Sequence, residues 1–266
     1  MNQYIAFLWY YVDLFPDHDR EHVLPDGTFE LMINLEGRPR KLFDRANLSR
    51  HRSFRRGWVS GAHKEYLVID ALPASSMIGA HFKPGGATGL LGLPASELTG
   101  QVVELDALWG EGIWEWRDKL LATPDAEGKL ALFEQLLTER LAKASSKNGH
   151  NHQVKWALSR LLQTPDLPSI QVLTQELGMS HKHFIQQFRR EVGLTPKLFC
   201  RIRRFQHVLA SVQSGKTVSW ADIACSCGYF DQAHFVNDFV AFAGINPSTY
   251  LQQHLEGEPN FVRADG

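Results

Sequence analysis

The residue pairs nearest to a metal or redox pattern are His181-x-His183 and Cys225-x-Cys227. On a helix, side chains two apart diverge by about 200°, so joint ligation by His181 and His183 is not expected. Cys227 directly precedes Gly228, where a small buried side chain is required, and a buried thiol is inert. His150-x-His152 lies in a polar stretch and reads as solvated linker. His18-x3-His22 followed by Glu30 invites comparison with metal-binding barrels, but residues 1–100 hold no closely spaced His-x-His-plus-Glu set. There is no Walker loop, no G-x-S-x-G and no GxGxxG. An enzyme carrying a DNA-binding tail, such as a repair fusion, needs a nucleophilic Cys that residues 1–150 lack. The expectation is therefore no catalysis, no cofactor and no metal. What remains is a set of cations and hydrogen-bonding side chains concentrated in the second half of the chain, and the elements that hold them decide their use.

Those elements come as a repeat. Ser169, Leu173 and Gly178 match Ser219, Ile223 and Gly228 at an offset of 50. Phe184, Phe188, Gly193, Pro196 and Phe199 match Phe235, Phe239, Gly244, Pro247 and Tyr250 at an offset of 51. Each unit reads as helix, turn, helix. A short helix carries a small residue (Thr174, Ala224) four before a glycine that can take the left-handed turn conformation. Ser180 or Asp231 then caps a second helix. Phe184 and Phe188, or Phe235 and Phe239, at i and i+4, turn inward and leave the residues between them to solvent. Thr-Pro or Asn-Pro starts the following helix. A basic amphipathic helix, Lys197–Ser211, joins the units, with Leu198, Ile202, Phe205 and Leu209 on one face. A purely structural helical repeat is the blander alternative; two copies closing on G-x-[TN]-P-x-x-[FY] favour DNA binding over it.

Charge agrees. Of 266 residues, 44% are apolar and 21% charged, enough to bury real cores, and the net charge is −1. Residues 1–150 carry 17 Lys/Arg against 20 Asp/Glu, whereas residues 151–254 carry 10 against 6. Such asymmetry points to a polyanion on one side only. Three cysteines without a spaced framework argue against a secreted disulfide scaffold. The apolar run from Ile5 to Val12 is too short to span a bilayer and lacks signal-peptide flanks, so a cytoplasmic location and no membrane partner are expected.

Residues from about 150 to 254 resemble the DNA-binding domain of the AraC/XylS family of bacterial transcription regulators. ADIACSCGYFDQAHFVNDFVAFAGINPSTY is similar to that family's most specific signature, and GMSHKHFIQQFRREVGLTPKLF resembles its more variable first repeat. The resemblance implies two helix-turn-helix units on a long central helix, with recognition helices entering successive major grooves about 34 Å apart. By this pattern Lys182, Ile185 and Gln186 match base-facing positions in the first unit. In the second, Gln232 and Asn237 are placed to hydrogen-bond bases, and Ala233 and Val236 to touch a thymine methyl. Arg189, Arg190, Lys197, Arg201, Arg203 and Arg204 are expected at phosphates, along with Lys182 and helix N-termini. The family usually carries a base near Asn237 and just after Phe239; here Asn237, Val240 and the acidic Asp238 stand there. Asp238 is expected either to repel phosphate or to turn inward to Arg201 or Arg204. A module that has lost DNA binding and only assembles with partners is the remaining rival.

The first 80 or so residues read as short strands punctuated by Pro25–Gly27, the basic stretch Arg38–Lys41 and GWVSG at Gly57–Gly61, with Lys83–Gly86 ending the last. Helical spacing follows at Leu108–Leu120 and Leu130–Leu141. LPDGTFELMINL and the segment His81–Gly110 are similar to an uncharacterised domain often placed ahead of such DNA-binding domains. The expected fold is two-domain α+β: a strand-rich partial barrel or sandwich with helices, then an all-α domain of two helix-turn-helix units joined by a long helix. The expected boundaries are 1–145 for a sensing or dimerising domain, 146–152 for a linker, 153–254 for the DNA-binding domain (units about 170–191 and 220–243) and 255–266 for a tail. Trp9, Tyr10, Trp58, Tyr66 and Phe82 are candidates to line an effector pocket. Double-stranded DNA is the principal partner; RNA polymerase, a small-molecule effector and a second copy are possible ones.

Overall fold

A computed structural model of the chain describes residues 1–144, 151–163, 168–212, 219–255 and 258–264. The N-terminal strands are β1 (Ile5–Leu14), β2 (Arg20–Val23), β3 (Glu30–Asn34), β4 (Arg40–Asp44), β5 (Asn47–Phe54), β6 (Gly57–Ser60), β7 (Leu67–Asp70), β8 (Ser75–Phe82) and β9 (Val102–Glu104). Helices α1 (Ala87–Leu91), α2 (Leu105–Trp109), α3 (Trp114–Ala122) and α4 (Ala126–Ala144) accompany them. Then come α5 (His152–Gln163), α6 (Ile170–Glu176), α7 (His181–Val192), α8 (Pro196–Val212), α9 (Trp220–Ser226), α10 (Gln232–Ala243) and α11 (Pro247–Gln253). Strands β10 (His254–Leu255) and β11 (Glu258–Arg263) close the chain.

The strands form two antiparallel sheets, in the orders β1-β8-β3-β6-β9 and β10-β11-β2-β7-β4-β5. Alternation along β3 separates two packing layers. Leu31 and Ile33 join one buried cluster with Ile78, Phe82, Leu120 and Phe133, while Met32 joins a second with Trp58, Met77 and Leu67. The expected strand-rich domain followed by a helical one is what the chain forms. Two stretches read as turns are strands instead. Arg40 and Lys41 open β4, and Gly57–Ser60 is β6, between β3 and β9. Gly57 serves close approach there rather than a turn, since a Cβ would lie 2.9 Å from the Met32 carbonyl oxygen.

The two domains share apolar and polar contacts. The larger core cluster runs unbroken from Phe29 and Leu98 to Phe184 and Phe199. The Thr99 hydroxyl donates to the Gly193 carbonyl at 2.7 Å, and Gln206 Nε2 donates to the Pro25 carbonyl at 2.9 Å. The stretch expected as a tail includes β11, which pairs antiparallel with β2 through Phe261↔Val23 and Val262↔His22. Val262 is fully buried there, and the Tyr250 hydroxyl donates to the Pro259 carbonyl at 2.9 Å. A single strand of six residues shows too little periodicity to stand out from a tail in sequence.

Candidate DNA interface

Each helix-turn-helix is built by local chemistry. The Ser169 hydroxyl caps α6 by accepting from Val172 N, and Ser219 caps α9 by accepting from Asp222 N. Gly178 and Gly228 turn the chain at φ +62° and +77°, a region that a Cβ disfavours. Ser180 then accepts from His183 N and starts α7; Asp231 accepts from His234 N at 2.7 Å and starts α10. Gly193 and Gly244 end these helices in the left-handed conformation. The phenylalanines of both units are fully buried against α8: Phe188 meets Phe199 edge-on at 5.7 Å, and Phe205 meets Phe239 at 5.2 Å. That burial fixes which faces of α7 and α10 look outward.

On α7, Lys182, Gln186, Arg189 and Arg190 are exposed and Ile185 is half-buried. On α10, Gln232, Ala233 and Asn237 are exposed and Val236 is half-buried. An open cleft of about 660 Å³ separates the units, lined among others by His181, Ile185, Lys197, Arg204 and Gly228. Lys197 is exposed at the start of α8. The other cations of α8 are differently engaged. Arg204 donates to the Gly228 carbonyl at 3.0 Å and lies over the Tyr229 ring at 5.2 Å. Arg203 is half-buried, and its Nε has no hydrogen-bond partner among the described residues; burial lowers its pKa, and the charge of Asp26, in the N-terminal domain, partly offsets this. It faces that domain.

Asp238 is only 4% exposed, and Arg201 clasps it through Nη2 at 2.6 Å and Nε at 3.2 Å. Of the two expectations for this carboxylate, the inward one holds. The Arg201 guanidinium, its pKa raised by the hydrogen bonds it donates to Asp238 and by the charge of that carboxylate, is committed to an ion pair. Sequence spacing alone leaves Arg201 and Arg204 equally open as partners, because Asp238 lies 37 residues from Arg201 on a crossing helix. The cysteines are all free; Cys227 is buried and Cys225 exposed, and burial pushes the Cys200 thiol up to about 11. Among the described residues no group of three His, Cys, Asp or Glu is placed to hold a metal ion. No helix among them is long and apolar enough to cross a membrane.

The aromatic residues of the N-terminal domain are spread over three places. Trp9 and Trp58 belong to the smaller cluster between the sheets, where Trp9 Nε1 donates to Glu30 at 2.8 Å. Tyr10 and Phe82 belong to the larger core. Tyr66 packs on His22 at 4.3 Å and against Gly244, at the contact with the helical domain. Sequence reasoning missed a polar group beside Trp9. His81 Nε2 lies 3.1 Å from Asp26 Oδ2, and its Nδ1 lies 3.7 Å from Glu30 Oε1. Burial opposes the imidazolium, but the hydrogen bonds and charges of the two carboxylates outweigh it and push His81 up to about 10. His63, hydrogen-bonded to the Ser60 hydroxyl at 3.0 Å, is pushed down to about 4 by burial.

Comparison with known proteins finds one domain match in each half of the chain. Residues 173–253 match a helix-turn-helix domain family, and residues 1–104 match a domain of unknown function (DUF6597). No curated protein sequence matches. Among solved structures, ToxT of Vibrio cholerae O395 bound to (E)-4-(8-methylnaphthalen-1-yl)but-3-enoic acid aligns over 92% of this chain and 98% of its own, at 11% identity and a TM-score of 0.51. A probable AraC family transcriptional regulator from Rhodopseudomonas palustris CGA009 aligns over 38% of this chain and 91% of its own, at 27% identity and a TM-score of 0.32. The ToxT likeness is one of fold, across both domains. The chain thus matches a helix-turn-helix domain over residues 173–253, behind a match to the domain of unknown function DUF6597 over residues 1–104.

Proposed function

We propose that the chain is a sequence-specific DNA-binding transcription regulator whose α7 and α10 enter successive major grooves of a bacterial promoter. The observation that carries this reading is the pair of capped helices, α7 and α10, whose buried phenylalanines leave Lys182, Gln186, Gln232 and Asn237 facing solvent. Lys182 and Gln186 serve guanine and adenine edges, and Arg189, Arg190 and Lys197 serve phosphates. The reading involves no catalysis. The N-terminal domain is assigned an effector-sensing role. Its contacts with α8 at Phe199 and Gln206 support this, because a ligand that prefers one domain arrangement then biases the other site. The chemistry of that effector is unassigned.

The test is a mobility shift of the full chain with DNA from upstream of its own gene and with random duplex, across a salt series. The four exposed cations Lys182, Arg189, Arg190 and Lys197 predict that log Kd rises against log salt with a slope of roughly 3–4, close to 0.9 per phosphate neutralised. Failure to shift either duplex at low salt, or a flat slope, overturns the reading.

A further inference from the structure

Phe230 is 92% exposed and stands immediately ahead of Asp231, the N-cap of α10. A lone exposed apolar side chain is ordinary. This one is followed in the chain by Ala233, Val236 and Val240, which share one face of α10 at i, i+3 and i+7, with Val240 43% exposed. The repeat makes the comparison internal. Lys182, Arg189 and Arg190 of α7 correspond, at the offset of 51, to Ala233, Val240 and Ala241 of α10. Met179 and Tyr229, whose amides donate alike to Thr174 and Ala224, are the matched turn residues and are withdrawn, so Phe230 is the single residue inserted in the second unit and projects into solvent. Asp238, the one acid inside α10, is withdrawn to Arg201. The outer face of α10 is therefore neutral and largely apolar, where α7 is cationic.

We propose that this ridge reads DNA by apolar contact, with Phe230 as a specificity-determining residue that packs on thymine methyl groups at the major-groove edge of the second half-site. This deepens, and rests on, the DNA-binding reading. The occupant follows from continuity. Phe230 lies two residues past Gly228, which lines the cleft together with Lys197 and Arg204. A phosphate backbone drawn to Lys197 brings a groove edge alongside Phe230 and the N-terminal end of α10. Without a base in α10 to pay for specificity through guanine, the methyl of thymine is the base-edge group suited to an apolar ridge. The first unit then supplies most of the salt-dependent attraction, and the second supplies a preference that salt barely affects.

The experiment starts from a duplex selected out of random-sequence DNA by the full chain. Each thymine in the half bound by the second unit is replaced in turn by uracil, which removes only the 5-methyl group. Wild-type protein is expected to lose about fourfold in affinity at one or two positions, the equivalent of ~0.8 kcal/mol for one apolar carbon. The Phe230→Ala variant should bind the thymine duplex about tenfold more weakly and lose nothing further on uracil substitution there. Phe230→Leu, which keeps an apolar side chain, should restore part of both effects. Wild-type affinity in Phe230→Ala overturns the proposal, as does an undiminished uracil effect in that variant. Unchanged DNA binding with an altered sedimentation profile overturns it in favour of a protein contact. Selection that returns no duplex overturns the DNA-binding reading itself.

Discussion

The Asp238→Lys substitution separates two roles for one carboxylate. A solvent-facing Asp238 close to phosphate predicts a variant that binds all DNA more tightly. The structure predicts loss of stability instead. Asp238 accepts from Arg201 Nη2 at 2.6 Å and from Nε at 3.2 Å, so two charge-assisted bonds are lost. Removing one member of a buried pair costs about 3–5 kcal/mol when both ions are buried. Here the Arg201 side chain is 34% exposed, so water recovers part of that cost, and about 2–3 kcal/mol is the expected loss. Lys adds repulsion against Arg201 and places the variant at the upper end. Asp238→Asn, which keeps shape and a hydrogen-bond acceptor, should lie near the lower end. Urea unfolding followed by circular dichroism reads this as a transition for the helical domain roughly 1 M lower, for slopes of about 1–3 kcal/mol per M. Arg201→Ala in a double-mutant cycle should show coupling with Asp238→Asn. An Asp238→Lys protein as stable as wild type, with stronger binding to random DNA, refutes the inward assignment.

Gln186→Ala is expected to cost about 1–3 kcal/mol on the specific duplex and relax preference at one or two base positions, whereas Arg189→Ala weakens all sequences alike and lowers the salt slope by about one; titrations against selected and random duplexes compare them. Phe235→Ala removes a fully buried ring between Trp220 and Phe239 and should destabilise the second unit by about 3–5 kcal/mol in the same urea assay. His81 has its folded pKa raised from 6.5 to about 10, so its contribution to stability is complete below the unfolded value and fades as pH rises through about 10. Unfolding profiles between pH 6 and 11 should therefore fall more for wild type than for His81→Gln, and parallel profiles would count against the Asp26–His81–Glu30 cluster. A chain ending at His254 loses β11, and hydrogen exchange should then show the β11-facing amides along β2, that of Leu24 included, unprotected, while those facing β7 stay protected.

The helical half was legible because its signals are local. Caps, turn glycines and buried phenylalanines lie within a dozen residues of one another, and the repeat states them twice. Outward residues such as Lys182 and Gln186 follow from the inward ones by geometry alone. What stayed hidden depends on long-range contact. For Asp238 the sequence leaves phosphate repulsion and pairing with Arg201 or Arg204 open, and only the crossing of α8 and α10 selects Arg201. Asp26, Glu30 and His81 come together because β3 and β8 pair, through Glu30↔His81, and no spacing announces that. The arginine-rich opening of β4 and the glycine-flanked β6 imitate turns, because neither composition reveals that Arg40 has Asp70 as a buried partner at 2.9 Å.

The strand β11 also bears on how the protein is made. Its partner β2 ends at Val23, and Phe261 pairs with that residue, so about 240 residues of chain separate the two halves of one ladder. At synthesis rates of about 5–20 residues per second, β2 waits roughly 10–50 s for its neighbour. Throughout that interval the N-terminal sheet carries an open edge, the kind of template on which other chains pair. The helix-turn-helix domain is translated entirely within the same window. Completion of the first domain's sheet therefore waits until the second domain has been synthesised.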